Sequence, residues 1–338
     1  MEAVILVGGE GTRLRPLNQH LPKALVPVLN RPFLSHMIEH LSKHGVNNIT
    51  LAAGRFSKLL EDFVKDYSNP NLCLSVEPEP LGTAGAVRYS LKNPSETFLV
   101  LNGDIFSSIN ISELLQFHNS KKSELTIALT FVEDPSSFGV VQTNQHERIN
   151  AFVEKPQQNE DISHWVNAGI YVINPNILEN IPFGQFYMFE TGLFPNLLKQ
   201  GYHLYGYRHE GFWIDMGTLP KYFNLNSELL LNFGNDDSIK YGVNCDISET
   251  AVLEGPILLG DNVSIGSDSK LIGPVILGND CYVGGGVEIK NSFIWENVTI
   301  DNDSIVNGVI IGSDEVLPSG SEVFNVAIAE NNFVQIYD

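Results

Sequence analysis

Residues 4–28, VILVGGEGTRLRPLNQHLPKALVPV, join an apolar run to a glycine-rich, cationic loop. The run from Ala3 to Val7 reads as a buried strand. It stops abruptly at Gly8-Gly9-Glu10-Gly11-Thr12-Arg13. Three glycines let the backbone pass close to an anion and turn its N–H groups toward it. Arg13 adds a bidentate phosphate donor, and Lys23 adds a second cation ten residues later. A strand, a glycine loop and two cations point to a nucleoside triphosphate site. The loop lacks the Lys of a Walker A sequence. In a Gly-x-Gly-x-x-Gly dinucleotide pattern the third glycine would fall on Leu14.

Outward from this stretch, strand and helix signals alternate. Phe33–Lys43 carries apolar residues at Phe33, Leu34, Met37, Ile38 and Leu41, a helical stripe. Ile49–Ala53 reads as a strand, Phe56–Val64 as a helix and Thr97–Leu101 as a strand. Such alternation predicts a Rossmann-like α/β domain, a mostly parallel sheet with helices on both faces. Ligands in these sheets bind at the carboxyl ends of the strands. The glycine loop and Asp104 both follow apolar strands, so both are expected on one edge of the sheet. His36, His40 and His44 recur every four residues along one helix and read as a polar, partly buried face.

The chain changes character near Tyr241, so domains are expected at 1–240 and 241–338. The second part is poor in basic residues and rich in Gly, Asn and Asp. From Ile247, steps of six reach Leu253, Leu259, Ile265, Leu271, Leu277, Val283, Ile289 and Trp295. Four places after each start stand Ala251, Ile257, Val263, Ser269, Val275, Cys281, Val287, Phe293 and Thr299. This is the hexapeptide pattern of a left-handed parallel β-helix, three flat sides to a coil, here just over three coils. Hexapeptide coils often serve acyltransferases with a histidine base. All nine histidines of this chain lie at or before His209, so the repeat is read as a packing and oligomerisation module.

The chain has 338 residues, ample for two cores, and 43% of them are apolar. It contains no apolar run of about 18 residues, so no membrane span is expected. The start shows no basic leader, and Cys73, Cys245 and Cys281 are few and widely spaced, which suits a reducing cytoplasm. A net charge of −20 disfavours nucleic acid and anionic membranes as partners.

The segment from Gly8 to Leu17, followed by Pro22-Lys23, resembles the signature of the sugar-1-phosphate nucleotidylyltransferases. The resemblance extends over the first 230 or so residues. Glu79-Pro80-Leu81-Gly82-Thr83-Ala84-Gly85 looks like the family's base-binding loop, and Leu101-Asn102-Gly103-Asp104 like its metal-binding strand end. Phe138-Gly139-Val140-Val141, Val153-Glu154-Lys155-Pro156 and Asn167-Ala168-Gly169-Ile170-Tyr171 look like its sugar-pocket motifs. Trp213-Ile214-Asp215-Met216-Gly217-Thr218 resembles the segment with the second carboxylate. The base loop and the appended coil look most like mannose-1-phosphate guanylyltransferases. Heptose-phosphate guanylyltransferases and glucose-specific uridylyl or thymidylyl enzymes are the alternatives. A catalytically silent nucleotide-sugar-binding homologue is the alternative of another class, and the intact Arg13, Lys23, Asp104 and Asp215 argue against it.

The resemblance implies that a sugar 1-phosphate attacks the α-phosphorus of a nucleoside triphosphate, GTP above others, and releases pyrophosphate. A phosphate monoester is already a nucleophile at neutral pH, so the protein must supply positioning and charge neutralisation. Arg13 would grip the triphosphate and Lys23 would neutralise the α-phosphate, both at an exposed rim of the sheet. Leu6, Gly8, Gly9, Gly11 and Thr12 would line the nucleotide, and Glu79, Gly82 and Thr83 would frame the base. Gly139, Glu154, Asn167 and Gly169 would meet the sugar, and Lys155 its phosphate. Asp104 and Asp215 would hold Mg²⁺, a hard cation that takes one or two carboxylates beside substrate phosphates. Their pairing rests on the resemblance alone. A homo-oligomer formed through the coil is expected.

Overall fold

The computed structural model describes residues 1–337, apart from 55–56, 66, 68–69, 92–93, 157–162 and 233–237. The expected helix start at Phe56 lies outside the described residues; the helix is seen from Ser57. The chain forms two compact units. One comprises Met1–Glu10 and Leu34–Asp215, the other Gly11–Phe33 and Met216–Asp338.

The first unit is an α/β sheet. Its strands are β1 (Glu2–Leu6), β2 (Asn48–Ala53), β3 (Asn71–Val76), β4 (Phe98–Asn102), β5 (Ile105–Ser107), β6 (Leu125–Phe131), β7 (Gly139–Thr143), β8 (Ile149–Glu154), β9 (Trp165–Ile173), β10 (Leu204–His209) and β11 (Trp213–Asp215). Its helices are α1 (Phe33–Lys43), α2 (Ser57–Lys65), α3 (Gly82–Ser90), α4 (Ile111–Ser120) and α5 (Phe194–Lys199). The main sheet runs β8-β7-β9-β4-β1-β2-β3, with β6 paired to β9 and β10. The β4-β1-β2-β3 half is parallel. Around β9 the pairs with β4, β6 and β7 are antiparallel. Ala3, Val4 and Ile5 of β1 are buried in succession, so both faces of this strand are covered. That is why its sequence is an unbroken apolar run rather than an alternating one.

α1 buries the whole stripe Phe33, Leu34, Met37, Ile38 and Leu41. It ends where Gly45 takes φ +78° and the Val46 N–H reaches back to the Leu41 carbonyl at 3.1 Å. Its histidines tie it to its surroundings. A ring nitrogen of His40 lies 2.8 Å from the Ile109 carbonyl and one of His44 lies 2.9 Å from the Ser112 hydroxyl. α4 is capped by Asn110, whose side-chain oxygen accepts from the Glu113 N–H.

The second unit contains a parallel β-helix. Ile247, Ile265, Val283, Ile300 and Leu317 stack in register on one side. Leu253, Leu271, Ile289, Val306 and Val323 stack on a second. The third column is Leu259, Leu277, Ile294, Ile311 and Ile328. The strict six-residue repeat, which counts Trp295 and Thr299 among its positions, fails beyond Asn291. Between Ile272 and Val275 the register slips by one residue: Ile272 faces Lys290, but Val275 faces Ser292. The lower strand spends Gly273-Pro274 where the upper has Asn291 alone, so every later coil is seventeen residues, not eighteen. Ile294 and Val298 therefore enter the core, each 1% exposed. Trp295 turns outward, and its indole N–H donates to the Tyr222 hydroxyl at 3.0 Å. The coil also runs further than a strict six-residue count finds, through Leu317 to Ile328.

The wealth of Asn and Asp has a local cause. At one corner Asn244, Asn262, Asp280, Asn297 and Asp314 all take positive φ, a conformation these two residues tolerate. Their side chains bond along the stack, as from Asn262 Nδ2 to Asp280 Oδ1 at 2.9 Å. Helix α6 (Leu219–Asn232) packs on the coil, the Phe223 and Phe293 rings 4.6 Å apart. Among the described residues no helix is long and apolar enough to cross a membrane.

Candidate active site

The carboxyl ends of β1, β2 and β4 lie level, Leu6 facing both Ala52 and Asn102. The glycine loop and Asp104 leave from this one edge, as the strand order requires. The Gly103 N–H donates to the Leu6 carbonyl at 2.9 Å. A Cβ on Gly103 would stand 2.5 Å from that oxygen, so glycine is demanded there and the turn into Asp104 is fixed. Gly8 lies against Gly54 and the Glu77 carboxylate.

Directly after Asp104 the chain forms β5, which pairs antiparallel with β11. Asp215 faces Ile105 across this ribbon, so the two aspartates expected to share a metal are brought together. No sequence spacing could have paired them. Both are half-buried. Two neighbouring carboxylates match the donor set of Mg²⁺, which fills its remaining positions with phosphate oxygens and water.

The loop of residues 79–85, expected to frame the base, is clamped by the segment before α5. Gly82 sits at φ +72°, and a Cβ there would lie 2.8 Å from the Tyr187 carbonyl. The Gly85 N–H donates to that carbonyl, and the Tyr187 N–H donates to Leu81. The Thr83 hydroxyl accepts from the Phe189 N–H at 2.8 Å and donates to Glu190 Oε2 at 3.2 Å. Glu79 is exposed. Besides Glu190, the carboxylate of Glu77 touches this loop, accepting from the Leu81 N–H at 3.1 Å.

The three segments expected to form a sugar pocket pair with one another beside it. Gly139 faces Glu154 in the β7–β8 register, and a Cβ there would crowd Glu154 Oε2 at 2.9 Å. Gly169 sits at φ +71° against the Asn102 side chain. The Asn167 amide accepts from the Gly169 N–H at 3.0 Å and donates to the Tyr171 hydroxyl at 2.8 Å. Lys155 is exposed at φ +47°, its ammonium 4.0 Å from Glu154. Burial pushes the Glu154 carboxyl above its ordinary value, and the Lys155 charge opposes this. Glu190 is pushed up by burial and, more weakly, by the Glu154 charge. Burial raises the Tyr171 hydroxyl far above its usual range, with Glu190, Glu154 and Asp104 adding to the effect. Glu190 and Glu77 escape a motif reading. The available signal for Glu190 was a lone carboxylate inside Met188-Phe189-Glu190-Thr191-Gly192-Leu193-Phe194, in a turn of π-helix without periodicity.

Gly11–Phe33 belongs to the second unit. Gly11 takes φ +61°, and a Cβ there would meet Asn18 Nδ2 at 2.8 Å and Lys23 Cβ at 3.0 Å. Asn18 Nδ2 donates to the Gly11 carbonyl at 3.1 Å. Thr12 and Arg13 are exposed. Lys23 is not the exposed rim cation expected: it is 9% exposed, at the start of a one-turn helix, Lys23–Leu25.

The Nucleotidyl transferase family profile matches residues 2–231, and the GMPPB C-terminal domain profile matches residues 242–337. A mannose-1-phosphate guanyltransferase of Aspergillus oryzae is 39% identical over 275 residues, 72% of this chain and 74% of the relative. A mannose-1-phosphate guanyltransferase 2 of Candida glabrata is 40% identical over 239 residues, 68% of this chain and 65% of the relative. Among solved structures, HddC from Yersinia pseudotuberculosis, complexed with GMP-PN, superposes with a TM-score of 0.59 at 28% identity. That match covers 68% of this chain and 99% of HddC. On these matches the chain belongs to the nucleotidyl transferase family.

Proposed function

We propose that this enzyme joins GTP and mannose 1-phosphate into GDP-mannose and pyrophosphate. The observation that carries the reading is the single sheet edge from which the glycine loop and the Asp104–Asp215 ribbon both leave. The guanylyl and mannose assignments are supported by the names of the relatives.

A nonbridging oxygen of the sugar phosphate attacks the α-phosphorus. The new bond is O–Pα, and the bond from Pα to the bridging oxygen of the β-phosphate breaks as pyrophosphate leaves. Arg13 grips the triphosphate and offsets charge growing on the leaving group; Lys23 does so at the α-phosphate. Backbone at Leu6, Gly8, Gly9, Gly11 and Thr12 lines the phosphates, and Gly82, Thr83 and Glu79 frame the base. Glu154 accepts from sugar hydroxyls, as does Asn167 through its amide, Gly139 and Gly169 leave room for the ring, and Lys155 holds the sugar's phosphate. Enzymes of this family generally use a divalent metal. Mg²⁺ on Asp104 and Asp215 would supply charge neutralisation at the phosphates.

Transferase and coil modules meet near residue 240 in this reading, and the coil joins copies of the chain. Its cysteines are free, which fits a reducing cytoplasm, and its acidity favours small nucleotides over nucleic acid as partners. The test is pyrophosphate release over a panel of triphosphates and sugar 1-phosphates. The highest kcat/KM is expected with GTP and mannose 1-phosphate. Preference for UTP or dTTP with glucose 1-phosphate would overturn the substrate assignment, and no release with any pair would overturn the reaction.

A further inference from the structure

The segment that carries Arg13 and Lys23 ends in a two-residue hairpin. Pro27 pairs with Pro32 and Val28 with Arg31, leaving Leu29 and Asn30 at the tip. Both tip residues take positive φ, +48° and +59°. Such turns ordinarily use Asn-Gly, and a leucine in the left-handed region is strained. Strain of this kind persists where the surroundings over-determine it.

Here the surroundings are α6 and the coil. The Leu29 N–H donates to Asn226 Oδ1 at 3.1 Å, and Asn30 Nδ2 donates to the Leu277 carbonyl at 2.7 Å. Leu277 belongs to the coil's third column. At the hairpin base the Tyr222 hydroxyl donates to the Pro27 carbonyl and accepts from the Trp295 indole. The hold continues toward the cations. The Phe33 N–H donates to Val26 at 3.0 Å, and the Val26 N–H donates to Lys23 at 3.2 Å. Lys23 in turn packs against Gly11.

We propose that Asn30, Tyr222 and Trp295 are positioning residues for nucleotidyl transfer. Through them the coil presets the Gly11–Lys23 loop. The coil contributes no reacting group, yet transfer depends on it. This rests on the reading of function above.

The test compares full-length variants. Asn30→Gly keeps the turn's backbone but removes the clamp. Asn30→Asp keeps the size and turns a donor into an acceptor facing a carbonyl. Tyr222→Phe removes the hydroxyl at the hairpin base. Each is expected to lower kcat about tenfold and raise the KM for GTP several-fold, with the KM for mannose 1-phosphate unchanged. Val283→Ala, inside the coil and away from the hairpin, should lower Tm while leaving kcat as it was. Wild-type kcat and GTP KM in both Asn30→Gly and Tyr222→Phe would overturn the proposal. So would a loss that follows Tm equally in Val283→Ala. Amide exchange without substrate separates this from the function reading. Faster exchange over residues 11–26 in Asn30→Gly is expected even if the chosen substrates are wrong, and unchanged exchange would refute the clamp.

Discussion

Arg13 and Lys23 share a loop but not an environment: one is exposed and one is buried. Arg13→Ala should cost roughly 10²–10³ in kcat, about 3–4 kcal/mol, the usual loss for one donor to a developing charge. Unfolding should be unaffected, and near-normal turnover would remove the residue from the mechanism. Lys23→Ala should cost as much in kcat and also lower Tm, because its stem fills space beside Gly11. Glu190 gives a test of opposite sign. Its folded pKa is raised, so the carboxyl favours the folded state below the ordinary carboxylate value and opposes it as pH rises through the raised one. Glu190→Gln should therefore raise Tm relative to wild type at pH 8 and lose that advantage by pH 4. A Tm difference independent of pH would show that burial of the charge is not what perturbs Glu190. The expectation for Arg13 and Lys23 rests on local sequence alone, because two cations beside a glycine loop suit a phosphate. Glu190 was not legible in this way, because its burial and its bond from Thr83 come from a segment more than a hundred residues away.

At the scale of elements, period decided what could be read. α1 matches its apolar stripe from Phe33 to Lys43 because the helical repeat alone buries those residues. The coil was legible by its sixes until Asn291, where one residue fewer shifts all that follows. Ile294→Ala should accordingly cost about 2–5 kcal/mol by denaturant unfolding, the price of a buried methyl-rich side chain. Trp295→Phe should cost less, since the ring still covers the coil from outside. The reverse order would restore the strict six-residue register. The β5–β11 ribbon shows a different limit. It joins residues over a hundred positions apart, and only pairing in space sets Asp215 opposite Ile105, next to Asp104. Asp104→Asn should weaken the dependence of activity on added Mg²⁺ with little change in Tm; full activity of the wild type in excess chelator would refute a metal role for the pair.

For the whole molecule, the change of composition near Tyr241 marks the start of the coil, whereas the later part of the second compact unit already begins at Met216. What composition could not show is that Gly11–Phe33, early in the chain, packs in the unit that holds the coil. That assignment depends on tertiary bonds such as Asn30 to Leu277, which leave no local pattern. The central claim concerns which atom attacks which. It is tested most directly by following mannose 1-phosphate labelled with ¹⁸O at its nonbridging phosphate oxygens through one turnover with GTP. Attack on the α-phosphorus places all the label in GDP-mannose, with one labelled oxygen bridging the two phosphorus atoms, and leaves pyrophosphate unlabelled. Label released as inorganic phosphate, from displacement at the sugar carbon, or the absence of any labelled GDP-mannose, would contradict the account.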